Sequence, residues 1–248
     1  MPWTRLSWPG ALVLPAMGHG LVIDLHMHTR VGSSDSSLHP DRLAEEAGLV
    51  GLTGVAFTEH NRHWDRHALG QYRDAHSALV VHNGMEVTTD LGHILAFGLP
   101  GFPRRMDRIA ELREYASEVG GFLAVAHPFR YWFEPVHFTR RGLTPIEMVP
   151  EVLQKQPVFE YVDAVEVING ACSEQENLMA LAVANLLGKP GIGGSDCHSE
   201  QGIGVACTVF ERTPDTQESF LEELRMGRFV AGYDLPKGEL RTYHPTTR

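Results

Sequence analysis

The chain has 248 residues, 43% hydrophobic and 21% charged, a balance that excludes a disordered tail, a collagen or a bilayer-spanning protein. Its formal net charge of −10 at pH 7 argues against a protein that coats long nucleic acid or an anionic membrane, while leaving phosphate substrates open. The three cysteines, Cys172, Cys197 and Cys207, form no C-x-x-C pair, so neither a disulfide framework nor a zinc ribbon is expected, and a reducing cytoplasm fits best.

Residues 1–20 read as an N-terminal extension. Their apolar patch is broken by Pro9, Gly10 and Pro15, so no signal peptide is expected. From Gly20 onward short apolar runs alternate with amphipathic segments, the rhythm of a mostly parallel α/β sheet. The strands are expected at 21–25, 53–58, 79–87, 93–98, 122–126, 164–168, 191–194 and 205–210. Helices are expected between them, one opening at Pro40 and Asp41 and others over 107–119, 174–187 and 215–226. Asp90-Leu91-Gly92 reads as a tight hairpin turn. Residues 131–161, with Arg140-Arg141, read as a lip containing one helix over 145–154. The barrel unit is expected over 21–232, followed by a C-terminal tail over 233–248. An α/β barrel typically uses about 250 residues, so a single domain is expected.

The unusual polar residues fall at predicted strand ends. They are Asp24-Leu25-His26-Met27-His28 with Asp35 after it, Thr58-Glu59-His60, Met85-Glu86, Gly92-His93, Ala126-His127-Pro128 and Ser195-Asp196-Cys197-His198. In an H-x-H on a strand the period of two points both imidazoles to one side, where they can grip one ion. Strand ends of a parallel barrel meet at one face, so these residues are expected to converge on a metal cluster. Asp35, Glu86 and Asp196 would leave two or three divalent ions with net positive charge, suited to a phosphate ester. The mixed ligands admit Mn, Fe or Zn and disfavour Ca. Gly191-Ile192-Gly193-Gly194 is read as glycines making room for metals, because no Lys-Ser/Thr follows to make a phosphate loop.

These motifs, D-L-H-M-H-T, S-D, T-E-H, G-M-E-V, A-H-P and G-S-D-C-H in this order over 21–198, resemble the polymerase and histidinol phosphatase (PHP) family of metal-dependent phosphoesterases. The resemblance implies a distorted (β/α)7 barrel with two or three divalent ions. By position it implies His26, His28, Glu86 and Asp196 at the first metal, Asp35, His60 and His198 at the second, and Glu86 with His127 at a third. No His or Cys stands within Val165-Glu166-Val167-Ile168-Asn169, where the family often has a further third-metal ligand. Glu59 replaces the commoner Asp of T-D-H and is expected to orient an imidazole. Glu166 and Asn169 are candidate supporting or substrate contacts.

The expected activity is hydrolysis of phosphate esters of small metabolites, nucleotides or short oligonucleotide ends by metal-activated water. Arg130 and His93 are expected to hold phosphoryl oxygens, and His198 or a water to protonate the leaving oxygen. Long duplex nucleic acid and membranes are not expected partners. The alternatives are a histidinol-phosphate phosphatase, a metal hydrolase of C–N or C–O bonds, and a noncatalytic metal-binding domain.

Overall fold

In a computed structural model the described residues are 11–14, 21–101, 107–142, 144 and 146–243. In chain order the elements are β1 (Ala11–Leu14), β2 (Val22–Met27), α1 (Pro40–Val50), β3 (Gly54–Phe57), α2 (Arg66–Ala75), β4 (Val80–Thr89), β5 (Gly92–Phe97), α3 (Ile109–Val119), β6 (Phe122–Val125), α4 (Pro135–Arg141), α5 (Pro150–Leu153), β7 (Ala164–Asn169), α6 (Glu174–Leu187), β8 (Gly191–Gly194), β9 (Ala206–Phe210), α7 (Gln217–Met226), β10 (Phe229–Tyr233) and β11 (Leu240–Tyr243).

The strands form one sheet in the order β1-β11-β10-β9-β2-β3-β4-β5-β6-β7-β8. The α/β character expected from the sequence is present, with parallel pairs β2/β3, β3/β4, β6/β7 and β7/β8. Antiparallel pairs interrupt that run, the hairpin β4/β5 turning at Thr89↔Gly92 among them, where the Asp-Leu-Gly signal put it. The sheet also continues past both expected limits of the barrel unit. Residues 11–14 pair with 240–243, and β10 joins β9 to β11. Central strands β2, β3 and β7 are buried along their whole length, as strands covered on both faces must be.

Local chemistry sets the helix ends. α1 has Pro40 at its first position and ends at Gly51 with φ 88°, a left-handed conformation that glycine adopts without strain. α6 opens with a Ser173–Glu176 capping box. α3 begins two residues later than expected, because Asp90 of the hairpin turn accepts from the Ile109 amide and supplies the cap (2.9 Å). In the lip, the helix expected over 145–154 is only the single turn α5. Val149 precedes Pro150 and is extended, as the pre-proline position favours, so the helix starts at the proline. The lip holds instead α4, too short for its periodicity to be read, although Pro135 and Gly142 mark its ends. Among the described residues, no helix is long and apolar enough to cross a membrane.

The sheet curls until the end of β8 lies against β2 and β9. Thr208 Oγ1 of β9 accepts from the Gly193 amide (2.9 Å) and donates to the Gly193 carbonyl (2.8 Å). The Ser195 amide donates to Asp24 Oδ1 (2.8 Å), the Asp196 amide to the His26 carbonyl (2.6 Å), and Met27 bridges Cys197. A Cβ on Gly193 would lie 2.2 Å from the Cys207 carbonyl oxygen, and one on Gly194 would lie 2.4 Å from the His26 Cβ. The Gly-Ile-Gly-Gly run therefore makes room for neighbouring strands, among them the one that carries His26. Gly193→Ala should cost about 3 kcal/mol in denaturant unfolding, the upper range for overpacking, because the obstacle is backbone. A variant as stable as the wild type would show that this approach is not tight.

Candidate metal centre

Closure of β8 onto β2 creates the site. His26 and His28 leave β2 on one side, and Asp196 and His198 arrive from the turn after β8. Asp24 on the same strand face is fully buried and does not join the cluster. It holds the Ser195 amide, and burial pushes its carboxyl up to about 7.

Glu86, at 1% exposure, is the hub. Its Oε1 lies 3.5 Å from His26 Nε2, 2.8 Å from His93 Nδ1 and 3.0 Å from His127 Nε2. Its Oε2 lies 3.3 Å from His28 Nε2 and 2.9 Å from His60 Nδ1. Asp196 Oδ1 stands 3.5 Å from His26 Nε2 and 3.3 Å from His28 Nε2. Asp35 Oδ2 meets His60 Nε2 at 3.2 Å and His198 Nε2 at 3.4 Å. Three groups have ligand atoms close enough to share an ion: His26, His28 and Asp196; His28, His60 and His198; and His26, Glu86 and His127.

The far side of three of the rings, His26, His28 and His198, is oriented by a partner. His26 Nδ1 faces Glu166 Oε1 at 2.9 Å, so this nitrogen carries the proton and Nε2 presents its lone pair to the centre. His28 Nδ1 faces Ser33 Oγ at 3.1 Å, and Ser33 in turn donates to Glu59 Oε2 (2.6 Å). His198 Nδ1 faces the Asp196 carbonyl at 3.0 Å. Glu166 Oε2 also accepts from the His127 amide (2.7 Å) and from Asn169 Nδ2 (3.0 Å).

Two observations fit a bound cation. The buried atoms His26 Nε2, His28 Nε2 and Glu86 Oε2 have no hydrogen-bond partner although they point into one space, and buried polar atoms are rarely left so. The charge balance agrees. Burial works against an imidazolium at His26, yet Asp196, Glu166 and Glu86 raise its pKa well above the usual value. Burial likewise opposes ionisation of Glu86, but the neighbouring His26, His127 and His28 imidazoles hold its carboxyl well below the usual range. The pocket is thus built to be filled by positive charge. His and carboxylate donors together suit Mn, Fe or Zn.

All the residues expected at the metals, namely His26, His28, Asp35, His60, Glu86, His127, Asp196 and His198, are gathered in this cluster, and His93 adjoins it. Arg130 Nη2 ion-pairs with Asp196 and donates to Asn169 Oδ1 (2.8 Å). Among the described residues Glu59 makes no direct hydrogen bond to an imidazole, so the orienting contact expected of it is indirect. It binds the Thr29 amide (3.1 Å), Ser33 and Trp64 Nε1 (2.8 Å), and reaches His28 only through Ser33. Ser33 escaped the sequence reading because serine in a Gly-Ser-Ser loop looks like a solvated turn. Cys172 also escaped. Its thiol lies within hydrogen-bonding reach of Arg130 and is pushed up to about 12, mainly by burial. Glu166→Gln should weaken divalent-metal affinity by about 10- to 100-fold in competition with a fluorescent chelator, since one His26 orienter is lost. Unchanged affinity would mean that Glu166 does not set the ring.

A family model described as PHP-associated matches residues 174–229. No curated protein sequence matches the chain. Among solved structures, PsfC from Pseudomonas syringae is similar with a TM-score of 0.59 and 17% identity, over 88% of this chain and 94% of that one. A two-domain protein from Bacteroides vulgatus, containing a predicted PHP-like metal-dependent phosphoesterase, is similar with a TM-score of 0.57 and 20% identity, over 93% of this chain and 70% of that one. Endonuclease Q in complex with a 27-mer duplex bearing an abasic lesion is similar with a TM-score of 0.50 and 17% identity, over 83% of this chain and 56% of that one. The PHP-associated match is confined to residues 174–229, and the solved structures share the fold of this chain.

Proposed function

We propose that the chain is a metal-dependent phosphoesterase that hydrolyses phosphate esters of small metabolites, nucleotides or short oligonucleotide ends. The observation that carries the reading is the Glu86 carboxylate ringed by five imidazoles, with unpartnered nitrogens aimed into one space. Two or three divalent ions fit these donors. His26, His28, Glu86 and Asp196 would hold one, Asp35, His60 and His198 a second, and Glu86 with His127 a third. When bound, such ions would supply Lewis acidity toward water and the phosphoryl oxygens.

The chain's own groups then position the substrate. His93, His127 and Arg130 line a cavity of about 410 Å³ that also contains Trp132 and Phe159. A phosphoryl group at the centre would meet Arg130 and His93, while the ester's organic part would lie against the aromatic wall. Asp196 and Asn169 fix the Arg130 fork, so its charge is preorganised. A net charge of −10 favours small or short substrates over long duplexes, which the protein's far field repels.

The test is p-nitrophenyl phosphate hydrolysis after chelator treatment and Mn restoration. Activity should vanish and return. His26→Ala and Asp196→Asn should each lower turnover by several orders of magnitude while retaining the wild-type circular dichroism spectrum. Near-normal turnover of either folded variant at saturating metal would overturn the assignment.

A further inference from the structure

We propose that Arg30 and Arg62 form a second anion subsite, which holds a phosphate carried by the same substrate whose ester is cleaved at the Glu86 cluster. The proposal rests on the phosphoesterase reading and names a feature of its substrate: a second anionic group beyond the scissile one.

A cavity of about 360 Å³ is lined by Arg30, Ser33, Ser34, His60 and Arg62, with Val31 and Gly32. It shares two residues with the metal centre. His60 faces both Glu86 and Asp35, and Ser33 orients His28. The aromatic-walled cavity is lined by His93, whose ring centroid lies 6.3 Å from that of His60. Each cavity therefore borders an imidazole that faces Glu86.

Both arginines are exposed, and among the described residues neither side chain has an ion-pair or hydrogen-bond partner. Elsewhere Arg42 pairs with Glu45, Glu46 and Glu200, Arg113 with Asp163, and Arg228 with Glu222 and Glu223; Arg66, Arg108 and Arg140 are also without a side-chain partner among the described residues, whereas Arg30 and Arg62 share one cavity beside the cluster. In a chain carrying 31 acidic and 21 basic side chains, two unpaired arginines in one cavity leave an anion site open. Asp35, the acid of the same loop, faces His60 and His198 instead.

The bases of both side chains are fixed. Glu59 clamps Thr29 and Ser33 on either side of Arg30, and a Cβ on Gly32 would lie 2.2 Å from the Glu59 Cγ. Asn61, directly before Arg62, has φ 53° and accepts the Thr88 amide at 2.8 Å. Only the guanidinium ends remain to be ordered by a ligand, and their planar forks match phosphate oxygens. The phosphate has two sources with the same chemistry: a second phosphate on a small molecule, or the flanking phosphate of a short oligonucleotide.

The experiment compares Mn-loaded wild type with Arg30→Gln/Arg62→Gln. The first arm uses α,ω-alkanediol bisphosphates of two to six carbons against the matching alkyl monophosphates. The wild type should favour the best bisphosphate by about tenfold or more in kcat/KM, through KM, and the double variant should bring that ratio near one. The second arm uses a terminally phosphorylated trinucleotide against its methylphosphonate-linked counterpart. A charge preference there that the double variant loses would identify the flanking phosphate as the source. A calorimetric titration with pentane-1,5-diyl bisphosphonate and pentylphosphonate reads the same preference without turnover. If no ester is hydrolysed, the phosphoesterase reading fails and the titration alone decides the subsite. Equal preference ratios in wild type and double variant in every arm would overturn the proposal.

Discussion

A buried carboxylate needs compensating charge, and Glu86 meets that need with imidazoles from several parts of the chain. His26 and His28 come from β2, His60 from the segment after β3, His93 from β5 and His127 from the segment after β6. Each must stop at the same height around one hub, so the curl of the sheet and the ends of these strands are constrained together. Local strain accompanies the arrangement. His127 at φ 28° and Asp196 at φ 53° leave the ordinary backbone regions where their side chains turn to the cluster, a conformation that costs on the order of 1–3 kcal/mol and persists when surrounding contacts outweigh it.

Closure of the sheet and assembly of the site are one event. The glycines of β8 allow the approach to β9 and β2, Thr208 and Asp24 hold it, and the turn that follows delivers Asp196 and His198. Behind the ligand atoms Glu166 ties His26 to the His127 backbone, and Glu59 acts through Ser33 on His28. Removing either acid loosens more than one element, which distinguishes them from ordinary buried carboxylates. One cavity with an aromatic wall borders His93, and another that holds Arg30 and Arg62 borders His60.

Much of this was legible before the structure because the signals are local. H-x-H on a strand fixes its own geometry, the hairpin announces itself by Asp-Leu-Gly, and the capping box at Ser173 and Glu176 marks where α6 starts. What stayed hidden depends on distant pairing. The return of β8 to β2 joins Asp24 to Ser195, and Arg130 meets Asn169 and Asp196 beyond the ends of β7 and β8. Ser33 and Glu59 carry no period or spacing that announces a relay to His28. The outer strands Ala11–Leu14 and Leu240–Tyr243 lie at opposite ends of the chain, where neither segment alone forecasts its partner.

The central claim is that the donors gathered round Glu86 would hold at least two cations side by side. Electron paramagnetic resonance during Mn(II) titration tests it most directly, because ions about 3.5 to 4 Å apart, the usual two-metal spacing, couple magnetically. The account predicts a coupled signal from at least two Mn(II) per wild-type chain and only uncoupled ions in Glu86→Gln. A single isolated Mn(II) in the wild type, or an unchanged coupled signal in Glu86→Gln, would contradict it.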